Sequence, residues 1–219
     1  KENNDFYSNI TVVTSPFREY TNGSLASHVL GRVGVIYREE YEQLKDQNYG
    51  MNDIIGKDGL EKFLEPYIKG KDGRINRSRE IGTKSLAPDE VSAIPGNNAV
   101  LTIDSELQKV AEDALKETIT DIKKRGVSKK DKAGADAGGG AVVAMDVRTG
   151  EILAIASYPD FDPSSFDENY EKLIKDSGKP MFNRAISGTY PPGSVFKRIT
   201  AIAGLEEKVI TPSETIVDK

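Results

Sequence analysis

The 219-residue chain carries a formal net charge of -5, and charged residues make up 30% of it. It therefore lacks the strong basic field that holds a nucleic-acid backbone, and we expect no nucleic-acid partner. The absence of Cys excludes disulfides, thiolate catalysis and cysteine-ligated zinc, and the single histidine, His28, is too few for a histidine-based metal cluster. We expect neither a metal nor a cofactor. No apolar run approaches the ~20 residues that span a bilayer.

The first part of the sequence predicts short elements separated by turns. The β-branched run at 10–14 and the apolar run at 28–36 predict strands, and glycines in the second run suggest close packing. A polar helix is expected at 39–47 and a short helix at Leu60–Leu64. Residues 74–94 are weakly patterned, and we expect strand and loop there.

A turn signature at 94–98, where Pro95 and Gly96 follow each other, marks a predicted domain boundary. We assign residues 1–95 to a first domain and residues 96–219 to a second.

The second domain opens with a predicted strand at 99–103 and a long helix. Asp104 is the expected N-cap, because the apolar residues after it recur at helical spacing. Gly126 is expected to end this helix behind a basic last turn. Residues 126–139 are rich in Lys, Asp, Ala and Gly, which is typical of a surface loop.

A β-hairpin is predicted next, with strands at Gly140–Asp146 and Glu151–Ser157. It is followed by a polar helix near Glu168–Lys175 and by a helix from Ser194 to Glu207. The apolar residues of the last helix are predicted to be largely buried: Val195, Ile199, Ile202, Ala203 and Leu205.

Ser194 and Lys197 form the one S-x-x-K pattern in the sequence. Residues i and i+3 of a helix share a face, so the hydroxyl and the amine can meet. A serine hydroxyl is a weak nucleophile until a neighbouring base removes its proton, and a lysine becomes such a base when burial lowers its pKa. The apolar neighbours Val195 and Phe196 predict partial burial here. The positive end of the helix dipole would also favour the serine alkoxide.

S-x-x-K alone is a weak signal, since about one chance occurrence is expected in a few hundred residues. The ordinary interpretation is a helix start, with Ser194 as a cap and Lys197 on the solvent face. Arg184 also keeps two interpretations, because a guanidinium can steer an anionic substrate or form a structural ion pair. His28 is expected to be structural, since the composition offers it no second histidine or cysteine.

The surroundings of the pair are more specific. Residues 182–197 read F-N-R-A-I-S-G-T-Y-P-P-G-S-V-F-K. This string resembles the active-site approach of class B penicillin-binding proteins, where the pattern is close to F-N-R-A, G and Y-P-P-G-S-x-F-K. Segments 101–108 and 140–154 resemble the opening strand and helix and the first hairpin of the same domain, and P-D-F-D-P at 159–163 also matches.

The first part of the chain resembles the pedestal region of this family. The matching stretches are R-E-Y at 18–20, A-S-H-V at 26–29 and G-K-D-G-L-E at 56–61. N-Y-G at 48–50, ahead of I-G-K at 55–57, favours the elongation type, penicillin-binding protein 2, over the septal type.

The fold implied by this resemblance is α+β. Residues 1–95 would form an elongated, mostly β pedestal or dimerisation-type domain, and residues 96–219 the N-terminal part of a transpeptidase domain. An incomplete sheet leaves an unpaired strand edge, which we expect in the second domain.

The activity implied by the resemblance is that of a peptidoglycan D,D-transpeptidase. Ser194 would be the nucleophile that attacks the stem peptide, Lys197 its base, and the Ser194 backbone N–H one oxyanion donor. β-Lactams would acylate the same serine. The implied partners are membrane proteins of the cell-elongation machinery, at the extracytoplasmic face of the cell membrane.

The sequence departs from the family pattern, because neither S-x-N nor K-T-G occurs after Ser194 and the early pedestal motif R-G-x-x-x-D-R is missing. The family's membrane anchor is missing as well. We therefore expect the middle of a larger protein, inactive by itself. One alternative is a non-catalytic pedestal module that docks cell-elongation proteins. Another is a β-lactam-sensing or β-lactam-hydrolysing relative, against which the pedestal-like first half argues.

Overall fold

The computed structural model describes residues 17–76, 89–128 and 134–215. Helices and strands are mixed throughout, as expected for an α+β protein. The chain divides into two compact units, residues 1–185 and 186–219. None of the helices in the described ranges is long and apolar enough to cross a membrane.

The first part of the chain is built from short elements. A 3₁₀ turn at Lys45–Gln47 extends the second helix. The elements, in chain order, are α1 Ser27–Leu30, β1 Val33–Val35, α2 Arg38–Leu44, β2 Ile54–Gly56, α3 Gly59–Phe63, α4 Glu65–Ile68, β3 Arg74–Asn76 and β4 Asp89–Val91.

The second part carries the longer elements. Two 3₁₀ turns, Pro163–Ser165 and Gly193–Phe196, each precede a helix. The elements are α5 Ser105–Ser128, β5 Gly140–Met145, β6 Ile152–Tyr158, α6 Phe166–Lys175, α7 Arg184–Ser187 and α8 Lys197–Glu206.

The described strands form three antiparallel pairs, β1 with β2, β3 with β4, and β5 with β6. A small core of Ile36, Tyr49 and Ile55 lies beside the first pair. The β5–β6 pair has one irregularity in register, between Ala144 and Met145. With two strands per sheet among the described residues, β5 and β6 each keep one edge without a neighbouring strand, as expected for an incomplete sheet.

Local signals predicted several elements of the first part. The polar helix at 39–47 and the helix at Leu60–Leu64 are confirmed as α2 with its 3₁₀ extension and as α3. The strand predicted at 28–36 is confirmed only at Val33–Val35, because a helical turn closes from Leu30 N–H to the Ala26 carbonyl ahead of it. The strand predicted at 10–14 lies outside the described residues.

The first part of the chain, up to β4, is less β-rich in its described residues than the expected mostly β pedestal. Four helices and a 3₁₀ turn hold more residues there than four three-residue strands do. Asn48, in the left-handed region at φ 64°, ends the 3₁₀ turn after α2.

The long helix α5 begins as predicted and ends later than predicted. The Asp104 carboxylate accepts hydrogen bonds from the backbone N–H of Glu106 at 3.0 Å and Leu107 at 2.9 Å, which is N-cap geometry. The helix continues past Gly126 to Ser128, since a glycine inside a helix costs only about 1 kcal/mol. No strand forms at 99–103, where single hydrogen bonds from Thr102 Oγ1 and Asp104 N–H to β6 carbonyls take the place of a ladder.

The hairpin and the polar helix are confirmed. β5 and β6 pair from Gly140 opposite Tyr158 to Met145 opposite Ile152. The turn is held by Asp146, whose carboxylate accepts from Arg148 N–H, and Gly150 sits in the left-handed region at φ 79°. The helix predicted near 168–175 is α6.

Candidate active site

The predicted nucleophile Ser194 lies in a 3₁₀ turn directly ahead of α8. Gly193 before it has φ 55°, a left-handed conformation that glycine adopts without strain. The Lys197 N–H donates to the Ser194 carbonyl, which closes the turn. Side chains three residues apart are aligned in a 3₁₀ turn, so the backbone places both residues of the predicted pair on one face.

Apolar neighbours were predicted to bury this pair in part. Within the described residues of the unit that begins at Ile186, this prediction is wrong. Ser194 and Lys197 are both exposed, as are Val195 at 71% and Phe196 at 50%. The same holds along α8, where Ile199 is 56% exposed. The apolar side chains predicted to be buried are in fact exposed: Val195, Ile199, Ile202, Ala203 and Leu205. The physical reason is that no second helix or strand of this unit's described part packs on the apolar side of α8.

The segment that leads towards the pair is held by Arg184. Its guanidinium donates to the backbone carbonyls of Gly178, Lys179 and Phe182, and its backbone N–H donates to Ser157 Oγ at 2.9 Å. These carbonyl contacts take the place of the predicted ion pair with a carboxylate, and the predicted role in steering an anionic substrate stays a prediction. Arg184 instead satisfies carbonyl groups of the chain ahead of it, a role that sequence spacing does not reveal.

His28 has the structural environment expected for it. Its Nε2 lies 2.6 Å from the Pro180 carbonyl oxygen, and its ring packs edge-on against Phe161 at a centroid distance of 5.3 Å. Because the carbonyl can only accept, Nε2 carries the proton. Burial lowers the pKa of His28, which favours the neutral ring.

Gln108 was not predicted to have a role of its own, because the sequence analysis included it only within the family-like segment 101–108. In the structure its side chain is completely buried. Its amide oxygen accepts from Ile155 N–H at 2.7 Å, and its amide nitrogen donates to the Ile155 carbonyl at 2.9 Å. The side-chain amide therefore bonds the backbone N–H and carbonyl of Ile155 as the backbone of a neighbouring strand would, and it joins α5 to the edge of β6.

Glu112 extends this contact to α1. Its Oε1 accepts from Gln108 Nε2 at 2.7 Å and from Ala26 N–H at 2.8 Å. Burial raises the pKa of Glu112, with the two hydrogen bonds acting in the opposite direction. A four-residue spacing on a helix hints that Gln108 and Glu112 share a face, but the sequence does not reveal their backbone partners.

Across the described ranges, no group of three or more His, Asp or Glu residues is placed to hold an ion.

Two family profiles match most of the chain. The Penicillin-binding Protein dimerisation domain matches residues 1–101, and the Penicillin binding protein transpeptidase domain matches residues 140–219. The domain boundary predicted at residue 95 stays a prediction.

A curated relative aligns with most of the chain, including residues between the two profiles. A peptidoglycan D,D-transpeptidase MrdA from Haemophilus influenzae is 33% identical over 215 residues, which covers 92% of this chain and 29% of the relative. The chain thus spans less than a third of that relative's own length.

Solved structures agree with the sequence relatives. A peptidoglycan synthase complex that coordinates polymerization and crosslinking aligns with a TM-score of 0.73 at 35% identity, over 90% of this chain and 34% of that one. The penicillin-binding protein PBP2 of Helicobacter pylori, in complex with MreC, aligns with a TM-score of 0.70 at 32% identity, over 90% and 34%. Domain profiles, relatives and structures converge, and the chain belongs to the penicillin-binding protein family, with its PBP2-type members as relatives.

Proposed function

We propose that the protein carrying this chain is a peptidoglycan D,D-transpeptidase that works through a serine acyl-enzyme. The observation that supports this most is the 3₁₀ turn at Gly193–Phe196, in which Ser194 stands three residues ahead of Lys197, the first residue of a ten-residue helix. The similarity to curated D,D-transpeptidases over 92% of the chain supports the same reaction class.

In the proposed reaction, Ser194 Oγ attacks the carbonyl carbon between two D-alanines of a stem peptide while its proton passes to Lys197. The oxygen of the tetrahedral intermediate accepts from the Ser194 backbone N–H. The intermediate collapses, the C–N bond breaks, and the terminal D-alanine leaves with a proton on its amine. An amine from a neighbouring stem then attacks the ester, which forms the cross-link and returns the proton to Ser194.

Exposure of the pair sets a condition on this chemistry. Proton transfer to a lysine amine is favoured where neighbouring groups exclude water, and the proposed reaction therefore calls for elements that cover Ser194 and Lys197. The described residues of its own unit do not supply them. The activity, like the recognition of stem peptides and β-lactams, is therefore proposed for the complete protein. We also propose that this protein works at the extracytoplasmic face of the cell membrane.

A fluorescent penicillin tests the proposal on the complete protein. We expect covalent labelling that is lost in Ser194→Ala and kept in Ser187→Ala, a matched change at the nearest preceding serine. Labelling that persists in Ser194→Ala would overturn the assignment of the nucleophile. The 219-residue chain alone is expected to remain unlabelled, and stable labelling of it would contradict the prediction that it is inactive by itself.

The second candidate function is a docking module for membrane proteins of the cell-elongation machinery. It is favoured by the solved complex of the Helicobacter pylori relative with MreC and by exposed aromatic residues of the first part, Phe63 and Tyr67. Ser194→Ala separates the two functions, because docking survives this change whereas acylation does not. A protein that binds elongation partners but never reacts with penicillin would favour the module.

A further inference from the structure

A cleft in the first compact unit is bordered by the turn after α2 and by the strand pair β3–β4. Its volume is about 940 Å³, and its lining residues come from three stretches of chain, 45–53, 66–74 and 91–94. All three stretches belong to the unit that ends at residue 185. The cleft is therefore complete within one compact part of the molecule.

Cations outnumber carboxylates in the lining of this cleft. The basic members are Lys45, Lys69, Lys71 and Arg74, and the acidic members are Asp53 and Asp72. The chain as a whole has the opposite balance, with a formal net charge of -5. A local excess of positive charge on an otherwise acidic protein attracts anionic groups to that surface.

Two of these cations lie on the strand pair, each opposite an apolar residue. Lys71 pairs with Ile94 in an isolated bridge, and Arg74 pairs with Val91 in the ladder of β3 and β4. Directly opposite side chains of an antiparallel pair project from the same face, about 5 Å apart. All four side chains line the cleft and are exposed. One wall of the cleft thus carries two pairs, each of a cation and an apolar side chain.

The strand cations are available to a ligand. Within the described ranges, neither the Lys71 ammonium nor the Arg74 guanidinium has a hydrogen-bond or ion-pair partner. The two lining carboxylates differ from each other, because Asp53 already accepts from Gly50 N–H at 2.9 Å whereas Asp72 is exposed. A ligand that supplies two carboxylates would pair the two strand cations.

A third cation of the lining is held in place. Lys69 Nζ lies 3.0 Å from the centroid of the Tyr49 ring, 3.3 Å from the Asn48 carbonyl oxygen and 3.8 Å from Asp53 Oδ2. The Tyr49 ring is part of the small core beside the first strand pair. Because this long side chain is already ordered, binding an anion near it costs little side-chain entropy.

We propose that this cleft binds an extended acidic segment of a partner protein, with its carboxylates at the two strand cations and its apolar side chains at Val91 and Ile94. A peptide presents both kinds of side chain in close succession. A phosphate polymer or a lipid headgroup would use the cations and leave the apolar residues without a contact. The inference goes beyond the proposed function, because it requires neither a reaction in the second unit nor the exposed aromatic residues of the docking candidate.

Synthetic peptides test this proposal on the complete protein. The probe is a fluorescently labelled peptide in which Glu and Val alternate, and its binding is followed by fluorescence anisotropy. We expect this peptide to bind, a Glu–Ser peptide to bind more weakly and a Lys–Val peptide not to bind. The affinity should fall as salt is raised, because the strand cations are exposed and their ion pairs are screened.

Charge-matched variants test the position of the site. Lys71→Ala combined with Arg74→Ala should weaken the Glu–Val peptide about tenfold, as for the loss of two exposed ion pairs. Lys109→Ala combined with Lys116→Ala removes the same charge from exposed positions of α5 outside the cleft, and it should leave the affinity near that of the wild type. Equal weakening by both double variants would overturn the site.

The apolar half of the site has its own test. Val91→Ser combined with Ile94→Ser should weaken the Glu–Val peptide and leave the Glu–Ser peptide unchanged, since only the first has apolar side chains to lose. Failure of the Glu–Val peptide to bind the wild type would overturn the proposal. Inorganic polyphosphate that binds as tightly as this peptide would overturn it as well, and so would vesicles of anionic lipid that bind in place of the peptide.

Discussion

Two regions of this protein differ sharply in how their side chains are covered. Around α5 and β6, Gln108 and Ala154 are fully buried and Ala156 is 1% exposed. Along α8 and the 3₁₀ turn ahead of it, where the most specific sequence string of the chain ends, every apolar side chain predicted to be buried is exposed. A strong motif and a packed environment are therefore separate properties, because the motif names reactive groups and only neighbouring elements can exclude water from them.

The largest expected effect lies at Gly31, which ends α1 and packs on Asp58. Its φ of 75° and its contact with the Asp58 backbone leave no room for a Cβ. Gly31→Ala should lower the free energy of unfolding by about 3 kcal/mol or more, from overlap added to left-handed strain.

Gly23→Ala is the matched control, since Gly23 has φ 58° and open space around it. Strain alone should cost about 1 kcal/mol there. Both values come from chemical denaturation. Equal losses in the two variants would show that the contact with Asp58 contributes nothing.

Gln108→Leu is expected to have the next largest effect. It leaves the N–H and carbonyl of Ile155 without their side-chain partner in a buried site, at a cost of about 2–4 kcal/mol. Lys109→Ala, at the neighbouring exposed position, should change the free energy of unfolding by less than about 0.5 kcal/mol. A comparable loss in both variants would contradict the special role of Gln108.

The pH dependence of stability should depend on Glu112. Because burial raises the pKa of this carboxyl, its ionisation disfavours the folded state. Its stabilising contribution is therefore complete below the ordinary glutamate range and is lost as pH rises through the raised pKa.

Glu112→Gln keeps an oxygen that can accept from Ala26 N–H and removes the titration. Denaturation curves across the acidic to neutral range should show wild type losing stability relative to this variant as pH rises. A difference that is constant with pH would remove Glu112 from the titrating groups that affect folding.

The smallest effect is expected on the exposed side of the comparison. Ile202 is 59% exposed, so Ile202→Ser in the 219-residue chain should change the free energy of unfolding by less than about 0.5 kcal/mol. Urea denaturation measures this directly. A loss above about 2 kcal/mol, typical of a core position, would show that α8 is covered in solution.

Elements with local signals were predicted well. The Asp104 cap, the hairpin on either side of Gly150 and the polar helices each depend on residues adjacent in sequence. The helix end expected at Gly126 was wrong, because the helix continues through this glycine to Ser128. The strand expected at 99–103 was wrong as well, because single hydrogen bonds to β6 form there in place of a strand ladder.

The sequence by itself determined the family and the identity of the proposed nucleophile and base, since a contiguous string from Phe182 to Lys197 carries both. Tertiary structure alone decided that Gln108 bonds the edge of β6, that the Arg184 N–H reaches Ser157 and that His28 reaches Pro180. It also decided that α8 presents its apolar side chains to solvent within its own unit. The physical reason is that hydrogen-bond partners and burial depend on groups brought together from distant parts of the chain, which local spacing does not encode.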